Sequence, residues 1–300
     1  MSSHPSFHRA EAVVWIPPGP PPLLEELWRG GHLPGLRWAH GFYAGVDAIA
    51  DFSLALAESD VPLTNGRGAF SSSLAEYAIT AALHFNKQIP RCMGNRVARK
   101  WDKFVMAELR GKTLGLVGYG DIAKATARLA RAFGMRVVAL RRNASKADDP
   151  EGLVDLVVGP YDGPVQQTHK HALFSEADVV VCSLPGTAET RHFVSSAEFG
   201  AMKEGSIFIS MGRGLAVDEA ALCEALRAGV IAGAALDVFE VEPLPTSSPL
   251  WDCPNLLLTA HNADFTEDYF KLGWEVWARN LRCYLEGQPL ATPVDKRAGY

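Results

Sequence analysis

Three side chains in this 300-residue sequence have the types that chemistry on a carbonyl would require: Arg213, Glu242 and His261. A guanidinium can pair with a carboxylate and polarise a neighbouring carbonyl. An imidazole has the pKa to deliver or take a proton near neutrality. A carboxylate on the far ring nitrogen would orient that imidazole and favour its protonated form. Each residue falls at or just past the end of an apolar segment. Arg213 sits in Met211-Gly212-Arg213-Gly214 after residues 206–210, Glu242 in the stretch 237–243 that closes residues 231–238, and His261 after residues 256–259. Taken singly, a glycine-flanked turn, a solvated loop acid and a structural histidine explain them as well. Together they carry weight, because open α/β sheets bind ligands outside the carboxyl ends of their strands.

A second constellation lies upstream. Gly118-Tyr119-Gly120-Asp121-Ile122-Ala123 is a G-x-G-x-x-A turn that follows the apolar run 114–117 and opens a helical stretch. Gly118 permits the tight turn, Gly120 lets backbone approach a pyrophosphate, and the small Ala123 lets helix pack on sheet. The helix N-terminus then favours phosphate through its free N–H groups and dipole. About twenty residues on, a carboxylate would hold the ribose hydroxyls of NAD. The sequence has Leu140-Arg141-Arg142-Asn143 instead. Two guanidiniums attract a 2′-phosphate, so the residues favour NADP(H), with NAD(H) possible. The other explanation is a pair of surface arginines after a strand.

The elements that must position these residues alternate short apolar runs with helical patterns, which predicts parallel βαβ units. Strands are expected at 13–16, 36–40, 61–63, 113–117, 135–141, 178–183, 206–210, 231–238 and 256–259. Helices are expected at 23–29, 73–88, 121–133, from 195 through a capping box, from Asp218 to Gly229, and at 266–286. Pro17 to Pro22 reads as a loop, and Pro90 ends or kinks the helix before it. A domain boundary is expected near residue 88. Lys and Arg number 29 against 34 Asp and Glu, a net charge of −5, which argues against a nucleic-acid surface. The local cluster Arg91, Arg96, Arg99, Lys100, Lys103 reads as a solvated helix face or linker. The five cysteines show no CxxC spacing, so neither a disulfide framework nor a metal site is expected, and Cys182 and Cys223 read as inert buried thiols. No apolar run reaches the ~20 residues of a membrane span. The N-terminus lacks the apolar core of a signal peptide. A cytoplasmic enzyme with no nucleic-acid or membrane partner is the expectation, with an organelle left open.

The strings 114–120, 177–190, 202–214, 234–243 and 258–263, with Ala44-Gly45-Val46-Asp47 and Ala75-Glu76-Tyr77, make the chain resemble the D-2-hydroxyacid dehydrogenases. That family includes glyoxylate, hydroxypyruvate and phosphoglycerate dehydrogenases, and the likeness runs from about residue 36 to the C-terminus. It implies a Rossmann-type doubly wound cofactor domain (residues 89–263) inserted into a smaller flavodoxin-like α/β substrate domain (residues 1–88 and 264–300). The substrate domain would be shortened at its front, since few residues precede the Ala44 landmark. The resemblance implies Arg213 as binder of the substrate carboxylate and carbonyl, His261 as acid/base and Glu242 as its partner. It places substrate carboxylate at the backbone of Ala44, Gly45 and Val46. Asp121, Ile122, Leu184, Pro185, Met211 and Gly212 would contact cofactor, with Asp237 near the nicotinamide. Members are usually homodimers. The implied activity is reduction of a small 2-keto acid such as glyoxylate or hydroxypyruvate. A non-catalytic dinucleotide-sensing protein, corepressor-like, is the alternative. A further alternative, an NAD enzyme for bulkier substrates, rests on Phe42 and Tyr43 beside the carboxylate loop.

Overall fold

A computed structural model describes residues 9–16, 26–28, 30–46, 56, 58–142, 149, 151–160 and 166–298. The chain divides into two compact units, Met1–Ser71 with Phe265–Tyr300, and Ser72–Asp264.

The first unit holds three parallel strands in the order β1 (Ala12–Trp15), β2 (Trp38–Gly41), β3 (Leu63–Asn65). Having a neighbour on each side, β2 is buried throughout, whereas β1, with one neighbour, is half-buried. Leu36, Ala39, Val46, Leu56 and Leu63 form the core. The proline loop and most of the helix expected at 23–29 lie outside the described residues, although 26–28 are helical.

The second unit is a seven-stranded parallel sheet. Its members are β4 (Thr113–Val117), β5 (Arg136–Leu140), β6 (Leu156–Val158), β7 (Val179–Cys182), β8 (Ile207–Ser210), β9 (Gly233–Leu236) and β10 (Leu256–Leu258). Their order is β10-β9-β8-β7-β4-β5-β6. From β4 the chain builds outwards through β5 to β6, then returns to β7 on the other side, so the strand order reverses between β4 and β7. Such a reversal opens a crevice at the carboxyl ends of the strands. The central strands are continuous apolar runs, buried along their length, because a parallel sheet is covered on both faces.

The helices of this unit are α1 (Ser71–Asn86), α2 (Ile89–Val97), α3 (Asp121–Ala132), α4 (Gln166–Glu176), α5 (Ser196–Ala201) and α6 (Glu219–Arg227); α7 (Tyr269–Leu285) belongs to the first unit. Several ends follow local chemistry. Ser195 and Glu198 form the reciprocal capping box that starts α5. Asp218 accepts from the Ala221 N–H at the start of α6. Gly134 and Gly287 take positive φ just past α3 and α7. Pro90 opens α2 in its first turn, after α1 has stopped at Asn86.

Three expectations are corrected. The boundary falls at Ser71 rather than near residue 88, because α1 clusters with the large sheet: Ser73 Oγ donates to the Ala263 carbonyl, and the Phe85 ring lies where a Cβ on Gly233 would be. Cys223 is not a free thiol; it is joined to Cys253, thirty residues away, with a Cα–Cα separation of 5.9 Å. Packing of α6 against the 3₁₀ turn Pro249–Asp252 brings them together, which spacing alone could not reveal. Finally, β6 and α4 were not anticipated. The first is three residues long with Leu156 exposed, and the second is a polar stretch with little amphipathic period. Among the described residues no helix is long and apolar enough to cross a membrane.

Candidate active site

The dinucleotide turn has a separate physical reason at each small residue. Gly118 lies at φ +89°, and a Cβ there would stand 3.2 Å from Leu184 Cδ2. Ala123, in the first turn of α3, is fully buried. Gly120 caps α3 without a side-chain partner for the helix N–H groups, and a Cβ on it would meet nothing within 4 Å. Nothing in the chain itself demands glycine at 120, and the open space beside it at the N-terminus of α3 would admit a pyrophosphate. Leu184 and Met211 follow β7 and β8, nearly buried, with Pro185 and Gly212 after them.

Arg141 follows β5 directly, and its N–H donates to the Val158 carbonyl. Its guanidinium carbon lies 5.6 Å from the centroid of the Tyr119 ring. Arg142 is 2.9 Å from Glu189 Oε2 in an exposed ion pair. The two arginines thus stand at the strand end nearest the turn, as the sequence spacing required.

The glycines around Arg213 are explained by packing. A Cβ on Gly212 would overlap the Leu184 backbone, and one on Gly214 would overlap the carbonyl of Phe239. Gly214 therefore presses the loop after β8 against the loop after β9, which carries Glu242. Arg213 is half-buried, with its Nη1 donating to the Gly212 carbonyl at 2.9 Å.

His261 Nδ1 lies 2.6 Å from Glu242 Oε2. Glu242 Oε1 accepts from the Phe239 N–H at 2.9 Å, which fixes the carboxylate. The histidine itself sits at φ +51°, a left-handed conformation that costs a non-glycine residue energy. It is held there by its N–H donating to the Asp237 carbonyl at 2.8 Å. Asp237 is almost fully buried, and its carboxylate accepts from the Thr259 hydroxyl (2.6 Å) and the N–H groups of Asn262 and Ala263. Asp237 thereby shapes the loop that presents the imidazole.

The electrostatics follow from this geometry. The hydrogen bond that His261 donates to Glu242 holds the His261 pKa above its ordinary value, against burial and the Arg213 charge. Burial alone would raise Glu242, but the hydrogen bonds from His261 and Phe239 and the Arg213 charge outweigh it, and its pKa lies below the usual carboxylate range. Arg213, Glu242 and His261 therefore feel one another. Burial pushes the Asp264 carboxyl up.

Of the residues singled out from sequence, Arg213, Glu242, His261, Asp237 and the whole dinucleotide set fall in the Ser72–Asp264 unit. Ala44, Gly45 and Val46 fall in the other, just past β2: Ala44 is exposed, Val46 buried, and the Ala44 carbonyl accepts from Asn65 Nδ2 at 2.6 Å. Asp47 lies outside the described residues. Phe42 is fully buried against Tyr269, Phe270 and Trp274 of α7, so it is a core residue and lends no support to a bulky-substrate pocket.

Comparison with known proteins bears on the same region. The sequence profile described as "D-isomer specific 2-hydroxyacid dehydrogenase, NAD binding domain" matches residues 79–263. The chain belongs to this family. This D-2-hydroxyacid dehydrogenase is 31% identical over 264 residues to a glyoxylate reductase of Thermofilum pendens, covering 83% of this chain and 74% of the relative. It is 34% identical to a hydroxypyruvate reductase of Thermotoga maritima, covering 73% and 69%. Among solved structures, a D-isomer specific 2-hydroxyacid dehydrogenase family protein from Aeromonas salmonicida superposes with a TM-score of 0.79 at 33% identity, covering 97% of this chain and 86% of that one. An NADPH-dependent glyoxylate/hydroxypyruvate reductase from Sinorhizobium meliloti, solved with NADP and sulfate, gives 0.80 at 27% identity, covering 99% and 90%.

Sequence reasoning did not single out Thr259, Tyr77 or Asp264 in this dehydrogenase. The Tyr77 hydroxyl lies 3.0 Å from Thr259 Oγ1, and burial pushes its pKa up to about 12. That partner lies 182 residues away in sequence, beyond the reach of any local signal.

Proposed function

We propose that this dehydrogenase reduces a short 2-keto acid, glyoxylate or hydroxypyruvate first, with NADPH preferred over NADH. The observation that carries the reading is the His261–Glu242 pair, held within electrostatic reach of Arg213 in the unit that carries the dinucleotide turn. The nicotinamide, when bound, supplies the hydride. The chain's own residues do the rest. Arg213 pairs with the substrate carboxylate and draws electron density from the keto oxygen. His261, protonated because Glu242 holds Nδ1–H, delivers the Nε2 proton to the oxygen as negative charge develops there. Asp237 keeps the imidazole in place by fixing residues 259–263. Asp121, Ile122, Leu184, Pro185, Met211 and Gly212 line the cofactor's path, and Arg141 and Arg142 take the 2′-phosphate.

Support for the cofactor choice comes from the two arginines where an NAD site carries an acid. It comes also from the solved relatives described as complexes with NADP or NADPH. The working form in this reading is a homodimer located in the cytoplasm. Val97, Trp101 and Val105 are 80%, 99% and 89% exposed, an apolar surface unusual for a monomer. The deciding experiment assays purified protein with glyoxylate, hydroxypyruvate and pyruvate, each with NADPH and NADH. Turnover of glyoxylate or hydroxypyruvate with NADPH supports the reading; no turnover of any 2-keto acid overturns it.

A further inference from the structure

The residue between the first two glycines of the turn is an aromatic that the turn does not need. Tyr119 is only 7% exposed although glycines flank it on both sides. Its hydroxyl donates to Asp149 Oδ1 at 3.1 Å, and the other oxygen of that carboxylate accepts from the Val154 N–H at 2.8 Å. The ring is thus anchored at its far end. Its face carries two cations: the Arg141 guanidinium at 5.6 Å from the end of β5, and the Lys124 ammonium at 6.0 Å from the first turn of α3. The other acid near the tyrosine, Glu151, is paired with Arg128. Burial raises the tyrosine's own pKa, so the hydroxyl stays a donor at neutral pH.

From this arrangement we propose that Tyr119 is a positioning residue for Arg141, and through it a determinant of the preference for a 2′-phosphate. The proposal rests on the reading of Arg141 as a phosphate binder. A guanidinium on a long side chain loses rotamer freedom when it clamps an anion. A ring that already holds it by cation–π contact lowers that loss, which is how preorganisation raises affinity. The effect falls on NADPH alone, because NADH offers nothing for Arg141 to clamp.

The test measures Kd for NADPH and NADH by nicotinamide fluorescence on the full chain, with no turnover required. The variants are Tyr119→Leu, Tyr119→Phe, Arg141→Ala and the Tyr119→Leu/Arg141→Ala pair. Leucine fills the buried space without a π face, and it should weaken NADPH about two- to five-fold while leaving NADH unchanged. Phenylalanine keeps the face and should stay within about two-fold of wild type for NADPH. On the Arg141→Ala background the leucine should add nothing, since the two act as one unit. Equal losses for both cofactors, or an undiminished leucine effect without Arg141, would overturn the proposal and leave Arg141 as phosphate binder. A wild type that binds both cofactors alike, with Arg141→Ala changing neither, would overturn the cofactor reading and the proposal with it.

Discussion

Glu242→Gln removes the charge from the carboxylate that holds His261, and its consequence can be worked out in sign and size. In the intact pair the hydrogen bond that His261 donates to Glu242 is the largest influence on the histidine and raises its pKa; burial and Arg213 act the other way. Glutamine preserves the shape and a hydrogen bond but leaves only the Asp237 charge to oppose burial and Arg213, so the pKa falls. Two unit charges ~4 Å apart interact by ~4 kcal/mol at the effective dielectric of a protein surface. The side chains are 40% and 34% exposed, so that figure must be discounted heavily for solvent screening. What remains is about 1.5 kcal/mol, or about one pH unit. Reduction needs imidazolium, so kcat/KM holds steady below the His261 pKa and falls as pH rises through it. The variant's falling limb should move about one unit lower, costing about ten-fold in kcat/KM on the alkaline side and little on the acid side. The assay is a pH series of kcat/KM for glyoxylate with saturating NADPH. A limb that stays in place, or moves to higher pH, refutes the role assigned to Glu242.

Other outcomes follow from the same geometry. Arg213→Gln should lower kcat/KM for 2-keto acids by about 100-fold, roughly the 3 kcal/mol of a lost charged hydrogen bond, while NADPH affinity by fluorescence stays unchanged. Replacing Arg141 and Arg142 together by alanine should weaken NADPH at least ten-fold and NADH less than two-fold by the same titration, on the scale of about 1.5 kcal/mol for lost bidentate phosphate contacts. Gly214→Ala places a methyl on the Phe239 carbonyl, so the loops carrying Arg213 and Glu242 must part. Calorimetry should show an overpacking cost of about 3 kcal/mol, with Tm down by roughly 5–10 °C.

Much of the second unit was legible because its signals are local. Leu114–Val117, Gly118 and Ala123 follow rules of turn geometry and packing that operate within ten residues: the strand is buried, Gly118 lies at positive φ beside Leu184, and Ala123 is buried. The capping box at Ser195 and the Asp218 cap are similarly local. What stayed hidden depends on partners distant in sequence. The place of α1 in the larger unit is set by Tyr77 with Thr259 and by Ser73 with Ala263, each more than 180 residues apart. The Cys223–Cys253 link arises from the packing of α6. Strand β6 is too short, and α4 too weakly amphipathic, to announce itself. At the site, His261, Glu242 and Arg213 could be chosen by chemistry and strand-end placement. The hydrogen bond that makes two of them a pair, and the contacts by which the buried Asp237 holds the histidine's loop, needed the fold.

The most direct test of the central claim compares wild type with His261→Asn by single-turnover oxidation of bound NADPH on mixing with glyoxylate, after fluorescence has established NADPH affinity for both. The account predicts rapid oxidation by wild type, a loss of about 10²–10⁴-fold in the variant, and equal NADPH binding. Oxidation by the variant at the wild-type rate, or no oxidation by wild type with any short 2-keto acid, would contradict it.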